Sequence, residues 1–136
     1  WMSRAGTAGR GTPAVAPALI HAMPGPEEEV ASPTFTLVQT YERGDLDICH
    51  FDLYRLETPM DAYELGIEDA FFDAVSLIEW PEKLGPYLPE ERLDIRLEQD
   101  TDPIENAPAK GRRAVLSGAG DWADRLPDIL ADLEDY

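Results

Sequence analysis

The chain has 136 residues, with 28 acidic side chains against 11 lysines and arginines, so its formal net charge is −17. A surface this acidic repels phosphodiester backbones, which excludes a stand-alone nucleic-acid-binding protein that relies on a basic face. The length fits one ordinary domain, and 43% hydrophobic residues are enough to build a core.

Redox and targeting signals are sparse. The single cysteine, Cys49, excludes an intramolecular disulfide and fits a reducing compartment. Arg4 and Arg10 precede the apolar run 14–20, but that run is too short for a secretory signal and is broken by Pro17. No apolar run approaches the roughly 18 residues that cross a bilayer. We therefore expect a cytoplasmic protein with no membrane contact.

The charge is unevenly distributed along the chain. Residues 1–26 contain two arginines and no acid, and glycine, alanine, proline and threonine dominate them. All 28 acids lie in residues 27–136. We therefore expect residues 1–26 to be an atypical segment without core residues and residues 27–136 to form the folded domain.

The first segment contains a glycine-rich stretch, with Gly6, Gly9 and Gly11 followed by Thr12 and Pro13. A phosphate-binding loop needs lysine and then serine or threonine after its last glycine, because the ammonium contacts phosphate and the hydroxyl holds Mg²⁺. Thr12 and Pro13 occupy those two positions here. By itself the stretch is a glycine-rich tail.

Two strands are predicted next, over 34–41 and 47–54, joined by a short polar turn as a hairpin. Ser32 and Thr34 flank Pro33 immediately before the first strand. Their hydroxyls suit either a phosphate, Mg²⁺ or water, or the cap of an ordinary turn.

Alternation in the second strand places His50, Asp52 and Tyr54 on one face. A histidine and a carboxylate two residues apart suit a shared metal, or proton transfer by an imidazole that the carboxylate orients. Tyr54 and Arg55 extend this polar set. The alternative is an exposed hairpin face on which His50 and Arg55 neutralise nearby acids.

Two short helices and a strand follow. Residues 58–66 have a threonine cap, a proline at the first helical position and a closing glycine, and a second helix is predicted over 68–73. Residues 74–80 form an apolar run without alternation up to Glu79, as in a strand buried on both faces.

Glu79 would stand at the carboxyl edge of the sheet, where ligands bind in open α/β folds. An acid at this edge commonly holds Mg²⁺ or orients a water molecule for attack on a phosphoryl group. The alternative is that Glu79 only caps the turn that follows it.

Two further strands are predicted over 92–99 and 112–117, and an acidic helix over 121–133. That helix carries one apolar stripe formed by Trp122, Leu126, Ile129, Leu130 and Leu133.

Three ordered segments together closely resemble successive signatures of one family: 32–38 (SPTFTLV), 50–56 (HFDLYRL) and 77–82 (LIEWPE). This family is TsaE, also called YjeE, the P-loop ATPases of bacterial tRNA threonylcarbamoyladenosine biosynthesis. The resemblance covers roughly residues 30–98. It implies an α/β fold with a P-loop NTPase-like sheet and flanking helices.

The resemblance also implies a function and roles for individual residues. The chain would bind and hydrolyse Mg-ATP as a partner of the TsaD and TsaB proteins, which would hold the tRNA. Glu79 would be a Mg²⁺ ligand with Trp80 beside it, Asp52 would support metal and water, and Thr34 would belong to a switch-like segment. The nucleotide would contact the glycine-rich stretch, namely Gly6, Gly9, Gly11 and Thr12.

The chain departs from the family at this stretch, where the lysine and the Mg²⁺-binding hydroxyl are missing. A truncated or degenerate loop would account for this, and residues 1–5 are too few for the buried strand that should lead into it. We therefore expect the fold to lack its first strand and an intact phosphate loop, although a helix over 14–23 would remain.

Three hypotheses follow. The chain is a TsaE-type ATPase, a non-catalytic interaction module that docks on the same partners, or a divalent-metal protein that uses His50, Asp52 and Glu79.

Overall fold

The computed structural model describes residues 2–4, 15–30, 36–99 and 112–134. Four helices, one 3₁₀ segment and six strands lie in this part of the chain. In chain order they are β1 (Met2–Arg4), α1 (Val15–Ala22), β2 (Val38–Arg43), β3 (Leu46–Asp52), α2 (Pro59–Glu64), α3 (Ile67–Asp73), β4 (Val75–Glu79), the 3₁₀ segment (Pro81–Tyr87), β5 (Arg92–Gln99), β6 (Arg112–Ala119) and α4 (Asp121–Glu134).

The six strands form one mixed sheet in the order β2-β3-β4-β1-β5-β6. The four central strands β3, β4, β1 and β5 are parallel to one another, whereas β2 and β6 pair antiparallel with β3 and β5 at the two edges. This is the predicted α/β class, with a hairpin closing each side of a parallel centre.

Two apolar clusters cover the two faces of the sheet. On one face, Ala16 and Ile20 of α1 pack against Tyr41, Ile48 and Leu77. On the other face, α2, α3 and the 3₁₀ segment cover a cluster formed by Phe51, Leu53, Leu56, Ala62, Ile67, Ile78 and Leu84. Strand alternation therefore places Ile48 and Phe51 on opposite faces, as the sequence predicts.

Local chemistry explains the two short helices between β3 and β4. The backbone N–H of Thr58 donates to the Asp61 carboxylate at 2.9 Å, which fixes the start of α2 ahead of Pro59. Gly66 has φ 74°, a left-handed conformation that turns the chain from α2 into α3 at little cost for glycine.

The first 26 residues contradict two expectations. Residues Met2–Arg4 form the strand predicted to be missing, and it pairs in parallel with both β4 and β5. Three residues suffice because both neighbours supply backbone partners. The expectation of no core residues is also wrong, since Ala16 and Ile20 are buried. The helix predicted over 14–23 is confirmed as α1.

The remaining elements lie close to their predicted bounds, with one shift. The predicted strand 34–41 is observed as β2, Val38–Arg43, and residues 34 and 35 lie outside the described residues. Leu37 has φ 65°, which interrupts the extended backbone just before β2. Within the described residues, no helix is long and apolar enough to cross a membrane.

Candidate active site at the carboxyl edge

The carboxyl ends of three adjacent parallel strands are level with one another. Asp52, the last residue of β3, pairs with Glu79, the last residue of β4, and Glu79 also pairs with Arg4 at the end of β1. We call this row of strand ends the carboxyl edge. It is the edge at which ligands bind in open α/β sheets, and the glycine-rich stretch follows Arg4 directly in the sequence.

Asp52 and Glu79 face the side of the sheet that α1 covers. Ile48 and Leu77 belong to the apolar cluster beneath α1, and side chains two residues further along a strand return to the same face. Both carboxylates are largely buried, at 7% and 8% exposure. Two acids concentrated in this way form a strongly anionic point, which suits a divalent cation.

His50 lies beneath the two carboxylates on this face and is fully buried. Its Nε2 lies 3.7 Å from Oε2 of Glu79, too long for a hydrogen bond but within ion-pair range. Neither ring nitrogen has a hydrogen-bond partner among the described residues. A buried imidazole without hydrogen bonds lowers the stability of the fold. Such costs are typical of side chains at functional sites.

The backbone around Asp52 is tied to the neighbouring segments. The Asp52 N–H donates to the Leu37 carbonyl at 3.0 Å, and the Leu53 N–H donates to the Glu79 carbonyl at 3.1 Å. The carboxylate of Asp52 accepts a hydrogen bond from the Tyr54 N–H at 3.2 Å. These bonds fix the position of Asp52 relative to Glu79.

An aromatic pair borders the carboxyl edge. The Tyr54 and Trp80 rings lie 4.9 Å apart between centroids, tilted by 52°. Trp80 has φ 62°, so it and Leu37 are the two non-glycine residues with positive φ in the described part of the chain. Both adjoin the carboxyl edge, and strained backbone of this kind concentrates at functional sites.

A model of the TsaE family, described as "Threonylcarbamoyl adenosine biosynthesis protein TsaE", matches residues 4–107. This chain belongs to the TsaE family. The matched range includes the carboxyl edge, so the carboxylates and the aromatic pair lie within the family's domain.

Curated relatives agree with this membership. Proteins named tRNA threonylcarbamoyladenosine biosynthesis protein TsaE are 42% identical over 73 residues in Rickettsia bellii, 42% over 79 residues in Haemophilus influenzae and 38% over 74 residues in Bacillus subtilis. These alignments cover 54%, 57% and 54% of this chain and 51%, 50% and 46% of the relatives. The chain thus spans about half the length of the curated TsaE proteins that it matches.

The fold agrees as well. The crystal structure of Bacillus subtilis YdiB superposes with a TM-score of 0.66, at 24% identity, over 98% of this chain and 77% of that one. The predicted P-loop NTPase-like α/β fold is confirmed.

The structure gathers the central residues of the predicted site. His50, Asp52 and Glu79 share one face at the carboxyl edge, and Tyr54 and Trp80 lie beside them. Arg55 is exposed next to Tyr54. The other predicted positions lie outside the described residues, namely Gly6, Gly9, Gly11, Thr12, Ser32 and Thr34.

The third hypothesis, a divalent-metal protein that uses His50, Asp52 and Glu79, gains no support from the geometry. Among the described residues, no group of three or more histidine, cysteine, aspartate or glutamate side chains is placed to hold a metal ion. His50, Asp52 and Glu79 therefore do not form such a site by themselves.

One residue that the sequence does not single out, Arg43, supports the side of the sheet that α1 covers. The buried Arg43 guanidinium donates to the carbonyls of Ile20 and Glu42 at 3.1 and 2.8 Å and pairs with the Glu28 carboxylate at 2.7 Å. It thereby holds the end of α1 against the edge hairpin. No sequence signal distinguishes this arginine from an exposed one, because all three partners are non-local or backbone groups.

Proposed function

We propose that this chain acts in tRNA threonylcarbamoyladenosine biosynthesis as a Mg-ATP-dependent partner of TsaD and TsaB. The observation that carries the proposal is the register of Asp52 with Glu79 and of Glu79 with Arg4 at the carboxyl edge. This register puts two buried carboxylates beside the end of β1, which the glycine-rich stretch follows in the sequence. Membership of the TsaE family supports the assignment to tRNA threonylcarbamoyladenosine biosynthesis.

The acidic half of the site fits Mg²⁺. Magnesium in nucleotide sites takes one or two carboxylates from the protein and its other ligands from water and phosphate oxygens. Asp52 and Glu79, which are in register at the ends of neighbouring strands, supply that number of carboxylates. Glu79 would hold the metal and Asp52 would orient a water molecule.

The chain's own residues have separable tasks at this site. Mg-ATP, when bound, supplies the phosphoryl group and a cation that offsets its charge. Glu79 is held against His50, which restricts the orientation of its carboxylate. Asp52 is fixed by the Tyr54 N–H, so one of its oxygens is engaged by the backbone. Tyr54 and Trp80, which follow Asp52 and Glu79 closely in the sequence, pack against each other with 4.9 Å between ring centroids.

The phosphate half of the site supports a second candidate function. Thr12 and Pro13 stand where the lysine and the Mg²⁺-binding hydroxyl belong, and proline has no backbone donor. A chain with this loop would serve as a non-catalytic interaction module that docks on TsaD and TsaB. In both cases the partners would hold the tRNA, because a net charge of −17 repels it.

Phosphate release from Mg-ATP by the full chain with purified TsaD and TsaB tests the proposal. Glu79→Gln should lower the turnover rate by about 100-fold or more, because it removes a metal ligand. The control Glu82→Gln removes an exposed acid three residues further on and should leave turnover unchanged. Complex formation without turnover would favour the interaction module.

A further inference from the structure

The helices α2 and α3 expose large apolar side chains that the fold does not use. Phe72 is 90% exposed, although its neighbour Phe71 packs against the core. Met60 and Tyr63 lie three residues apart on α2 and are 53% and 50% exposed. We call these three residues and the six acids of residues 57–73 the α2–α3 surface. It lies on the face of the sheet opposite α1.

Part of this surface is held in a fixed arrangement. The Tyr63 and Tyr87 rings lie 6.0 Å apart between centroids, and the Tyr87 hydroxyl lies 4.0 Å from the Met60 sulfur. Tyr87 itself packs against the core. Met60 and Tyr63 are therefore presented on a supported base, which lowers the entropy cost of binding them.

The charge of the surface has one sign. Residues 57–73 contain six acids and no lysine, arginine or histidine. Three of the acids, Asp61, Glu68 and Asp69, lie in the first turns of α2 and α3, where carboxylates stabilise a helix. Helix stability thus explains only half of the acids.

The last two residues of each helix indicate the chemistry of a binding partner. Tyr63 and Glu64 end α2, and Phe72 and Asp73 end α3, so each helix closes on an exposed aromatic ring followed by a carboxylate. A carboxylate at a helix C-terminus is unfavourable, because it faces the negative end of the dipole. Each of these carboxylates suits a lysine or arginine of a partner, and each exposed ring suits an apolar contact or a cation over its face.

We infer that the α2–α3 surface binds a protein whose contact face has an apolar pocket bordered by lysine and arginine. The six acids exclude nucleic acid and anionic membrane surfaces by repulsion. They also exclude a symmetric pair of this chain through the same surface, because like charges would meet. A protein face with an apolar pocket bordered by lysine and arginine would bury the exposed rings and form ion pairs with the carboxylates.

The inference rests on the proposed function for its probe, the purified TsaD–TsaB pair. Binding of the full chain to this pair is measured for the wild type and for Tyr63→Ser and Phe72→Ser. Each substitution should weaken binding at least about tenfold, as truncation of a central aromatic anchor does. Glu64→Gln with Asp73→Asn should slow association and reduce its salt dependence.

Helix α4 offers a matched control, because it also ends on an exposed apolar residue and an acid, Leu133 and Glu134. Leu133→Ser with Glu134→Gln should leave binding unchanged. Equal binding by the wild type and the Tyr63 and Phe72 variants would overturn the inference and leave the proposed function standing. Failure of the wild type to bind the pair would contradict the proposed function, and the assignment of this surface would fall with it. Unchanged thermal unfolding of each variant confirms that binding alone is altered.

Discussion

The His50 imidazole lies against the Glu79 carboxylate, with 3.7 Å between Nε2 and Oε2, in a position that is closed to solvent. The two residues belong to neighbouring strands, and Glu79 is in register with Asp52, two residues beyond His50. The imidazole therefore supports the carboxylate that the proposed function assigns to the metal.

Replacement of His50 tests how much the burial of its imidazole costs in stability. Its ring nitrogens have no hydrogen-bond partner in the described part of the chain, so His50→Leu should raise the free energy of unfolding by about 1 kcal/mol. His50→Ala should lower it by about 2 kcal/mol, because a cavity remains. Urea denaturation measures both. Equal destabilisation by leucine and alanine would contradict this account.

Loss of the Arg43 guanidinium should destabilise the chain. Arg43→Met leaves the Ile20 carbonyl and the Glu28 carboxylate without their donor, and we expect a loss of about 2–3 kcal/mol in the free energy of unfolding. Arg96 is the matched control, because it pairs with Glu98 at 2.9 Å on the surface. Arg96→Met should cost less than about 0.5 kcal/mol in the same urea titration. Equal effects of the two substitutions would show that burial does not matter here.

Stability should fall in alkaline solution. Burial, and then the Glu28 carboxylate, raise the pKa of the Tyr41 phenol above 10.0, while Arg43 opposes the shift. Burial raises the pKa of the Cys49 thiol above 9.0. Both groups bind protons more tightly in the folded state, so their contribution is full below pH 9 and is lost as the pH rises through the folded pKa values.

The test of this pH dependence is the free energy of unfolding measured upward from pH 9, with Tyr41→Phe as the comparison. Phenylalanine keeps the ring but cannot titrate, so the decline should become shallower. An identical decline in both proteins would exclude Tyr41 as a cause.

Local signals predict most of the elements. Thr58 and Pro59 mark the start of α2, and Gly66 marks the turn after it, because caps and left-handed turns depend on single residue types. Strict alternation gives β5 its observed bounds, Arg92–Gln99.

Features that depend on distant partners could not be predicted. The three-residue strand β1 exists because β4 and β5 pair with it from both sides, which no local pattern reveals. Leu37, which has a positive φ, likewise has a non-local partner, because its carbonyl accepts a hydrogen bond from the Asp52 N–H. In α4, two of the five residues of the predicted apolar stripe, Leu130 and Leu133, remain exposed to solvent.

The candidate site shows the same division. Its residue types were predictable, because His50, Asp52 and Glu79 alternate with apolar residues or end an apolar run. Their mutual placement was not, because it depends on the parallel register between β3 and β4. The burial of His50 beneath the two carboxylates also required the packing of α1 over this face.

The most direct test of the central claim is a Mg-ATP titration followed by Trp80 fluorescence, in a chain in which Trp1 and Trp122 are phenylalanine. We expect a saturable signal that Glu79→Gln weakens at least about tenfold, since a metal-bound carboxylate is lost, and that Glu82→Gln leaves intact. No saturable signal at millimolar nucleotide, from a chain that still unfolds cooperatively, would contradict it.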